Sequence, residues 1–233
     1  MKRLLLCLHI VSALFQAIWF PLLPIRIRQY LVRQWAQSLL RILQLKVIVR
    51  GEADFLKNSS SFLLVANHVS WLDIHVLNAI RPMTFVAKAD VSSWPVFGYL
   101  AKMLGTIFLE REKISDIKRV IHTVKKTIQA SGVVAIFPEG TSSDGRQVLP
   151  FKSNLFQSAV DAHCAVLPVK LMYQERGKWT DKVAFVGDMT LMESIQRVLS
   201  SNHIEVIIQV CEPLTAHSTR QVVCDQAYQA ISR

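Results

Sequence analysis

The apolar and polar positions of this chain follow three successive patterns. From Leu4 to Leu23 almost every position is apolar and none is Lys, Arg, Asp or Glu. About twenty such residues in a helix reach roughly the 30 Å thickness of a bilayer core. Lys2 and Arg3 precede the stretch, and Trp19 near its far end suits an interface. No small-x-small cleavage pattern follows, so the stretch reads as an uncleaved anchor rather than a signal peptide. Pro21 and Pro24 equally allow a bent hairpin confined to one leaflet. Between Arg26 and Lys46 the pattern becomes amphipathic. Leu31, Trp35, Leu39 and Ile42 recur at helical spacing, with Arg33, Gln37, Arg41 and Gln44 on the opposite side. Such a helix suits a membrane surface, where its cations meet lipid phosphates. The same periodicity fits a helix packed on the domain, and the adjacent anchor favours the membrane.

From Lys46 onward short apolar runs alternate with helical stretches. The runs Lys46–Arg50, Phe62–Ala66, Thr84–Lys88, Thr106–Leu109, Val133–Phe137, Ala165–Leu171, Lys182–Val186 and Ile204–Val210 read as strands. The clearest helical face is Ile114, Ile117, Ile121, Val124 and Ile128, with Gly132 placed as its C-cap. This alternation predicts an α/β fold: a mixed central sheet flanked by helices, preceded by an N-terminal membrane-associated helical segment. Residues 1–46 then form the anchor and amphipathic helix, and residues 47–233 the globular domain.

Half of the 233 residues are hydrophobic and only 19% are charged, which allows a sizeable core and argues against disorder. Twenty-seven Lys and Arg against 17 Asp and Glu leave +10. Such a balance attracts an anionic membrane surface or an acidic carrier. No helix-turn-helix, zinc-finger or RNA-binding signature stands out, so nucleic acid is not expected as a partner. The four cysteines form no C-x-x-C pair and read as free thiols in a reducing compartment.

Candidate chemistry lies where strands end, the usual place for functional loops in such folds. After Phe62–Ala66 comes Asn67-His68-Val69-Ser70-Trp71-Leu72-Asp73. Histidine is the side chain best suited to take a proton near neutral pH, and a carboxylate on its second nitrogen would fix the tautomer. Five helical steps separate two side chains by about 140°, so the pair meets only if His68 precedes the helix and Asp73 lies in its first turn. Ser70 is then the expected N-cap. Next comes Gly105-Thr106-Ile107-Phe108-Leu109-Glu110-Arg111, a short strand that delivers an arginine whose planar fork can clamp a phosphate, and which taken alone equally reads as a solvated charge or a pair with Glu110 or a nearby acid. The third motif is Phe137-Pro138-Glu139-Gly140-Thr141, where Pro stops a strand and Gly permits a tight turn. The fourth is Val166-Leu167-Pro168-Val169, in which Pro168 marks an edge strand or a bulge.

In this order and spacing the four motifs closely resemble those of the 1-acylglycerol-3-phosphate O-acyltransferase family, over about Gly51 to Leu171. Asn67, Lys88, Pro95, Gly98, Phe151 and Lys152 also stand where members of that family often carry such residues. The resemblance implies His68 as the general base and Asp73 as its partner. It implies Arg111 as the acceptor's phosphate ligand, and Glu139, Gly140 and Thr141 as shaping the acceptor site. Pro168 would help to form the acyl-chain site, with Asn67, Lys88 and Lys152 in support. One stretch departs from the glycerophosphate pattern. Ser142-Ser143-Asp144-Gly145 and Phe151-Lys152-Ser153-Asn154 look more like bacterial members near the lyso-ornithine-lipid acyltransferases.

The expected reaction moves an acyl group from acyl-CoA or acyl carrier protein to the free hydroxyl of a lysolipid, 1-acyl-sn-glycerol 3-phosphate first among them. Lyso-ornithine lipid acylation and phospholipid transacylation use the same base. A non-catalytic lipid-binding protein is disfavoured because His68 and Asp73 are both intact. No cofactor and no metal are expected. His68, Asp73 and His75 lack a further ligand cluster, and no G-x-S-x-G elbow is present. The expected location is the bacterial inner membrane, with the catalytic domain on the cytoplasmic side.

Overall fold

The computed structural model describes residues 1–233. Its centre is a mixed sheet whose main strands are β1 (Leu45–Gly51), β2 (Phe62–Ala66), β3 (Thr84–Lys88), β4 (Ile107–Leu109), β5 (Val133–Ile136), β6 (Ala165–Glu175) and β8 (Ile204–Val210). They lie in the order β1-β8-β6-β2-β5-β3-β4, with the two-residue strands β7 (Lys178–Trp179) and β9 (Leu214–Thr215) both paired to β6. β2 through β5 run parallel to one another, as do β2 and β6, while β6 and β8 are antiparallel. The parallel run brings the carboxyl ends of β2, β3, β4 and β5 to one edge, where loops from distant parts of the sequence meet.

β2 is the most buried strand, and its alternation splits it between two cores. Phe62, Leu64 and Ala66 face one core with α2 (Ile25–Leu43), α4 (Leu72–Ile80) and α8 (Leu191–Ser200). Leu63 and Val65 face the other, with α6 (Ile114–Gln129), α7 (Gln157–Ala162) and α9 (Arg220–Ser232). In β6 the residues Leu167, Val169, Leu171 and Tyr173 all belong to the first core, on the side of α4. α3 (Ala53–Asn58) and α5 (Phe97–Met103) complete the helices of the domain.

α1 (Lys2–Trp19) is apolar all round but only one face of it is covered. Leu6 and Ala17 are buried, and His9 stacks on Trp35 of α2 at 4.3 Å. The opposite face leaves Leu4, Leu8, Val11, Phe15 and Ile18 more than half exposed. α2 does not turn its apolar stripe outward. Ala36, Leu39, Leu40 and Leu43 are buried against the domain, and Gln37 donates to the carbonyl of Ala79 at the end of α4. Packing on the domain therefore takes the stripe that periodicity alone left open to lipid. The exposed large apolar residues of α2, Ile25, Ile27 and Tyr30, all lie in its first turns.

Four expectations need correction. Lys182–Val186 is not a strand: its amides go to turn and loop carbonyls, with Ala184 N–H donating to Asp181 and Phe185 N–H to Val69. Val183 and Ala184 are buried as part of a loop. Of the edge or bulge expected at Pro168, only the edge is overturned, since β6 lies between β8 and β2. It falls where the antiparallel partner of β6 changes from β9, opposite Val166, to β8, opposite Val169. Its missing N–H thus costs no ladder bond, while its carbonyl accepts from Cys211 N–H at 2.9 Å. The left-handed residue after α6 is Ser131 (φ 62°), not Gly132. Gly132 is needed for a close approach, because a Cβ there would lie 2.6 Å from the Thr127 carbonyl oxygen. Ser70 is not the N-cap of α4, which begins after Trp71, although its hydroxyl accepts from Leu72 N–H at 3.3 Å.

Candidate active site

The loop after β2 makes one compact turn before α4. His68 stands in the turn and Asp73 in the first helical turn, the arrangement the five-residue spacing requires. His68 Nδ1 lies 2.7 Å from Asp73 Oδ2. That oxygen also accepts from Val69 N–H at 2.8 Å and Ser70 N–H at 2.9 Å. The other carboxylate oxygen accepts from the Tyr173 hydroxyl at 2.6 Å. Asp73 is fully buried, and four donors converge on it. A buried carboxylate needs such donors to keep its charge. With Nδ1–H given to Asp73, the Nε2 lone pair of His68 is left to accept a proton. The imidazole is stacked on Phe137, ring centroids 4.1 Å apart, and its side chain is 22% exposed.

The loop is held from both flanks. Asn67 donates to the Leu171 carbonyl at 3.0 Å and accepts from Leu171 N–H at 2.7 Å, tying the start of the turn to β6. Ser143 N–H donates to the His68 carbonyl at 2.8 Å, and Phe185 N–H to the Val69 carbonyl at 2.9 Å. Ser142 Oγ donates in turn to the Phe185 carbonyl. Gly145 (φ 76°) passes so close that a Cβ would meet Val69 Cγ2 at 3.0 Å. The S-S-D-G stretch is thus a support of the histidine loop.

Glu139 enters the same space from the end of β5. His68 N–H makes a long bond of 3.4 Å to Glu139 Oε1, while Oε2 is buried with no protein partner. Burial pushes the Glu139 carboxyl up to about 8, with the Asp73 charge adding to the shift against the bonds from His68 and Leu149 N–H. It is therefore mostly protonated at neutral pH.

Beside Glu139 the chain turns at Gly140 (φ 78°), and two cations meet there. Arg111 Nη1, delivered by β4, donates to the Gly140 carbonyl. A Cβ at Gly140 would lie 3.2 Å from Lys152 Nζ and 3.4 Å from Arg111 Nη1. Neither cation forms an ion pair within 4.0 Å, although Arg111 feels the Asp90 charge, so two positive groups without a direct ion pair face one small space. Thr141 is exposed at the rim. Lys88 pairs its ammonium with Asp90, whose charge also acts on Arg111. Pro168 is buried in the sheet opposite Val65, below the loop rather than in it. His68, Asp73, Asn67, Arg111, Glu139, Gly140 and Lys152 are brought together. Tyr173 was missed by sequence reasoning, and the one available signal was a polar-tipped aromatic at an alternate position of a buried strand face. No group of three or more His, Cys, Asp and Glu has the geometry to hold a metal ion.

A family model described as Acyltransferase matches residues 46–172. A lyso-ornithine lipid O-acyltransferase of Pseudomonas aeruginosa is 36% identical over 206 residues, covering 88% of this chain and 78% of that one. A 1-acyl-sn-glycerol-3-phosphate acyltransferase of Neisseria meningitidis is 38% identical over 164 residues, covering 70% and 64%. Among solved structures, the 1-acyl-sn-glycerophosphate acyltransferase of Thermotoga maritima superposes with a TM-score of 0.67. That match covers 100% of this chain and 95% of the other, at 23% identity, and supports the shared fold.

Proposed function

The chain belongs to the acyltransferase family, and from that premise we propose that it acylates the free hydroxyl of a lysolipid with His68 as general base. The observation that carries the reading is the 2.7 Å bond from His68 Nδ1 to a buried, four-donor Asp73 carboxylate, which leaves Nε2 to act. In the step, Nε2 takes the acceptor's hydroxyl proton as the oxygen attacks the thioester carbonyl carbon. The C–S bond breaks, an ester forms, and the departing thiolate receives the proton from His68. A positioned base contributes on the order of a hundredfold or more, and holding both substrates contributes further. Acyl-CoA and acyl carrier protein are both anionic thioesters that suit the +10 chain.

For the acceptor we propose 1-acyl-sn-glycerol 3-phosphate. Arg111 and Lys152 supply two cations without a direct ion pair at Gly140, a match for a phosphate monoester dianion. A second reading, lyso-ornithine lipid, is favoured by the Pseudomonas relative and by the S-S-D-G stretch. Its carboxylate also fits an arginine fork, but it brings an ammonium toward two cations. Purified enzyme offered both acceptors side by side is expected to prefer the phosphate. Arg111→Lys should then raise the apparent KM for that acceptor on the order of tenfold, because lysine keeps the charge and loses the fork. Acylation of lyso-ornithine lipid alone would reverse the choice of head group.

The substrate is a lipid, and we assign the uncovered face of α1 to the bilayer, with the anchor and α2 at residues 1–46 as the membrane-proximal part. The apolar stretch is long enough to cross a bilayer, and the free cysteines suit a domain on the cytoplasmic side. Leu8→Glu with Phe15→Glu changes only the outer face and leaves Leu6, His9 and Ala17 to pack. The double variant should lose most of its binding to anionic vesicles in a sedimentation assay, while wild type stays bound at high salt. Equal pelleting of the two proteins would remove α1 from the interface.

A further inference from the structure

We propose that Tyr173 is a positioning residue for the acyl transfer: its hydroxyl fixes the Asp73 carboxylate in the rotation that presents Oδ2 to His68, and moderates the charge that His68 feels. The proposal rests on His68 being the base, and its tests are separable from that reading.

The two oxygens of Asp73 are loaded unequally. Oδ2 takes His68, Val69 and Ser70, whereas Oδ1 has one partner, the Tyr173 hydroxyl at 2.6 Å. Without that hydroxyl, Oδ1 would be a fully buried anionic oxygen with no donor, a costly state that rotation or protonation of the carboxyl would relieve. Either change disables the dyad: rotation takes Oδ2 out of line with the imidazole, and a carboxyl relieved of its donor makes the pair take up its extra proton at higher pH. The phenol itself cannot wander. Tyr173 is 2% exposed, and its strand is locked by antiparallel pairing with Val206 of β8.

β6 also sets the other end of the turn. Leu171, two residues before Tyr173 on the same face of the strand, exchanges both backbone bonds with the Asn67 side chain. One rigid strand therefore clamps the loop on either side of His68, at Asn67 by main chain and at Asp73 by the phenol. Burial and the Asp73 charge raise the phenol's pKa well above 10, so Tyr173 remains a donor wherever the enzyme works. Glu139, from the end of β5, is the other titratable group facing the dyad. His75, on the same helix as Asp73, is directed instead at Trp35 and Trp71 and feels His9 of α1.

Tyr173→Phe deletes one oxygen and keeps the ring. We expect kcat to fall on the order of tenfold or more with little change in KM for either substrate. The acid limb of kcat/KM should move to higher pH, because a carboxylate relieved of its donor holds the dyad's shared proton more tightly. 2,3-Difluorotyrosine at 173, a stronger donor of nearly the same shape, should move the limb the other way; it also serves as the test if the phenylalanine variant fails to fold. In an Asp73→Asn background the loss of the hydroxyl should add little, since its effect runs through the carboxylate. Unchanged rate and pH profile in folded Tyr173→Phe, or losses that multiply in the double variant, would overturn the proposal. Full activity of His68→Ala would instead overturn the reading on which it rests.

Discussion

His68→Ala is expected to lower turnover by two to four orders of magnitude on the scale of general-base catalysis, roughly 100- to 10,000-fold, without unfolding the protein. The fold tolerates the change because the loop is pinned by groups the substitution leaves in place. Ser143 N–H still reaches the carbonyl of residue 68, and Val69 and Ser70 N–H still reach Asp73. The imidazole adds only its stack on Phe137 and one of four donors to Asp73. What disappears is the one lone pair placed to take the acceptor's proton. Turnover measured beside a thermal melt decides the matter. A folded variant working within a few-fold of wild type would remove His68 from the mechanism.

Asp73→Asn should cost nearly as much, on the order of a thousandfold, by analogy with the loss of the carboxylate in His–Asp catalytic pairs. The environment makes this a clean removal of charge. An amide can keep its oxygen toward His68, Val69 N–H and Ser70 N–H. Its NH2 then points at the Tyr173 oxygen, which turns from donor to acceptor. The contacts at both side-chain atoms survive, with the phenol O–H and one amide N–H left without an acceptor, and the support for the imidazolium is lost. Retention of wild-type kcat by a variant with a wild-type melting temperature would show that the carboxylate serves structure alone.

Much of this was legible in the sequence because it rests on local spacing. Short apolar runs located β2, β5 and β8, and the His68–Asp73 interval demanded a turn followed by a helix start. The illegible parts depend on encounters between distant segments. Tyr173 is 100 residues from Asp73 and belongs to no motif. Lys152 gains meaning only because Gly140 turns beneath it, and Lys88 loses its free charge to a neighbour two residues on. Lys182–Val186 shows the limit of composition. A short apolar run reports burial, and whether the burial is in a ladder or a loop depends on where its amides find partners.

The unpartnered oxygen of Glu139 has a thermodynamic side. A carboxyl that holds its proton up to about 8 in the fold, but only to the ordinary carboxylate range when unfolded, makes folding a proton-binding reaction across that interval. The sign follows from the proton count: the folded state binds more, so stability declines as pH rises from the carboxylate range toward about 8. Above that interval the carboxyl ionises in place, next to the Asp73 charge. Below about 8 the pocket holds one anion rather than two, and a negatively charged head group approaching Arg111 and Lys152 meets a neutral acid at its flank. The fold accepts a less stable site at neutral pH, and gains one whose local potential admits an anion.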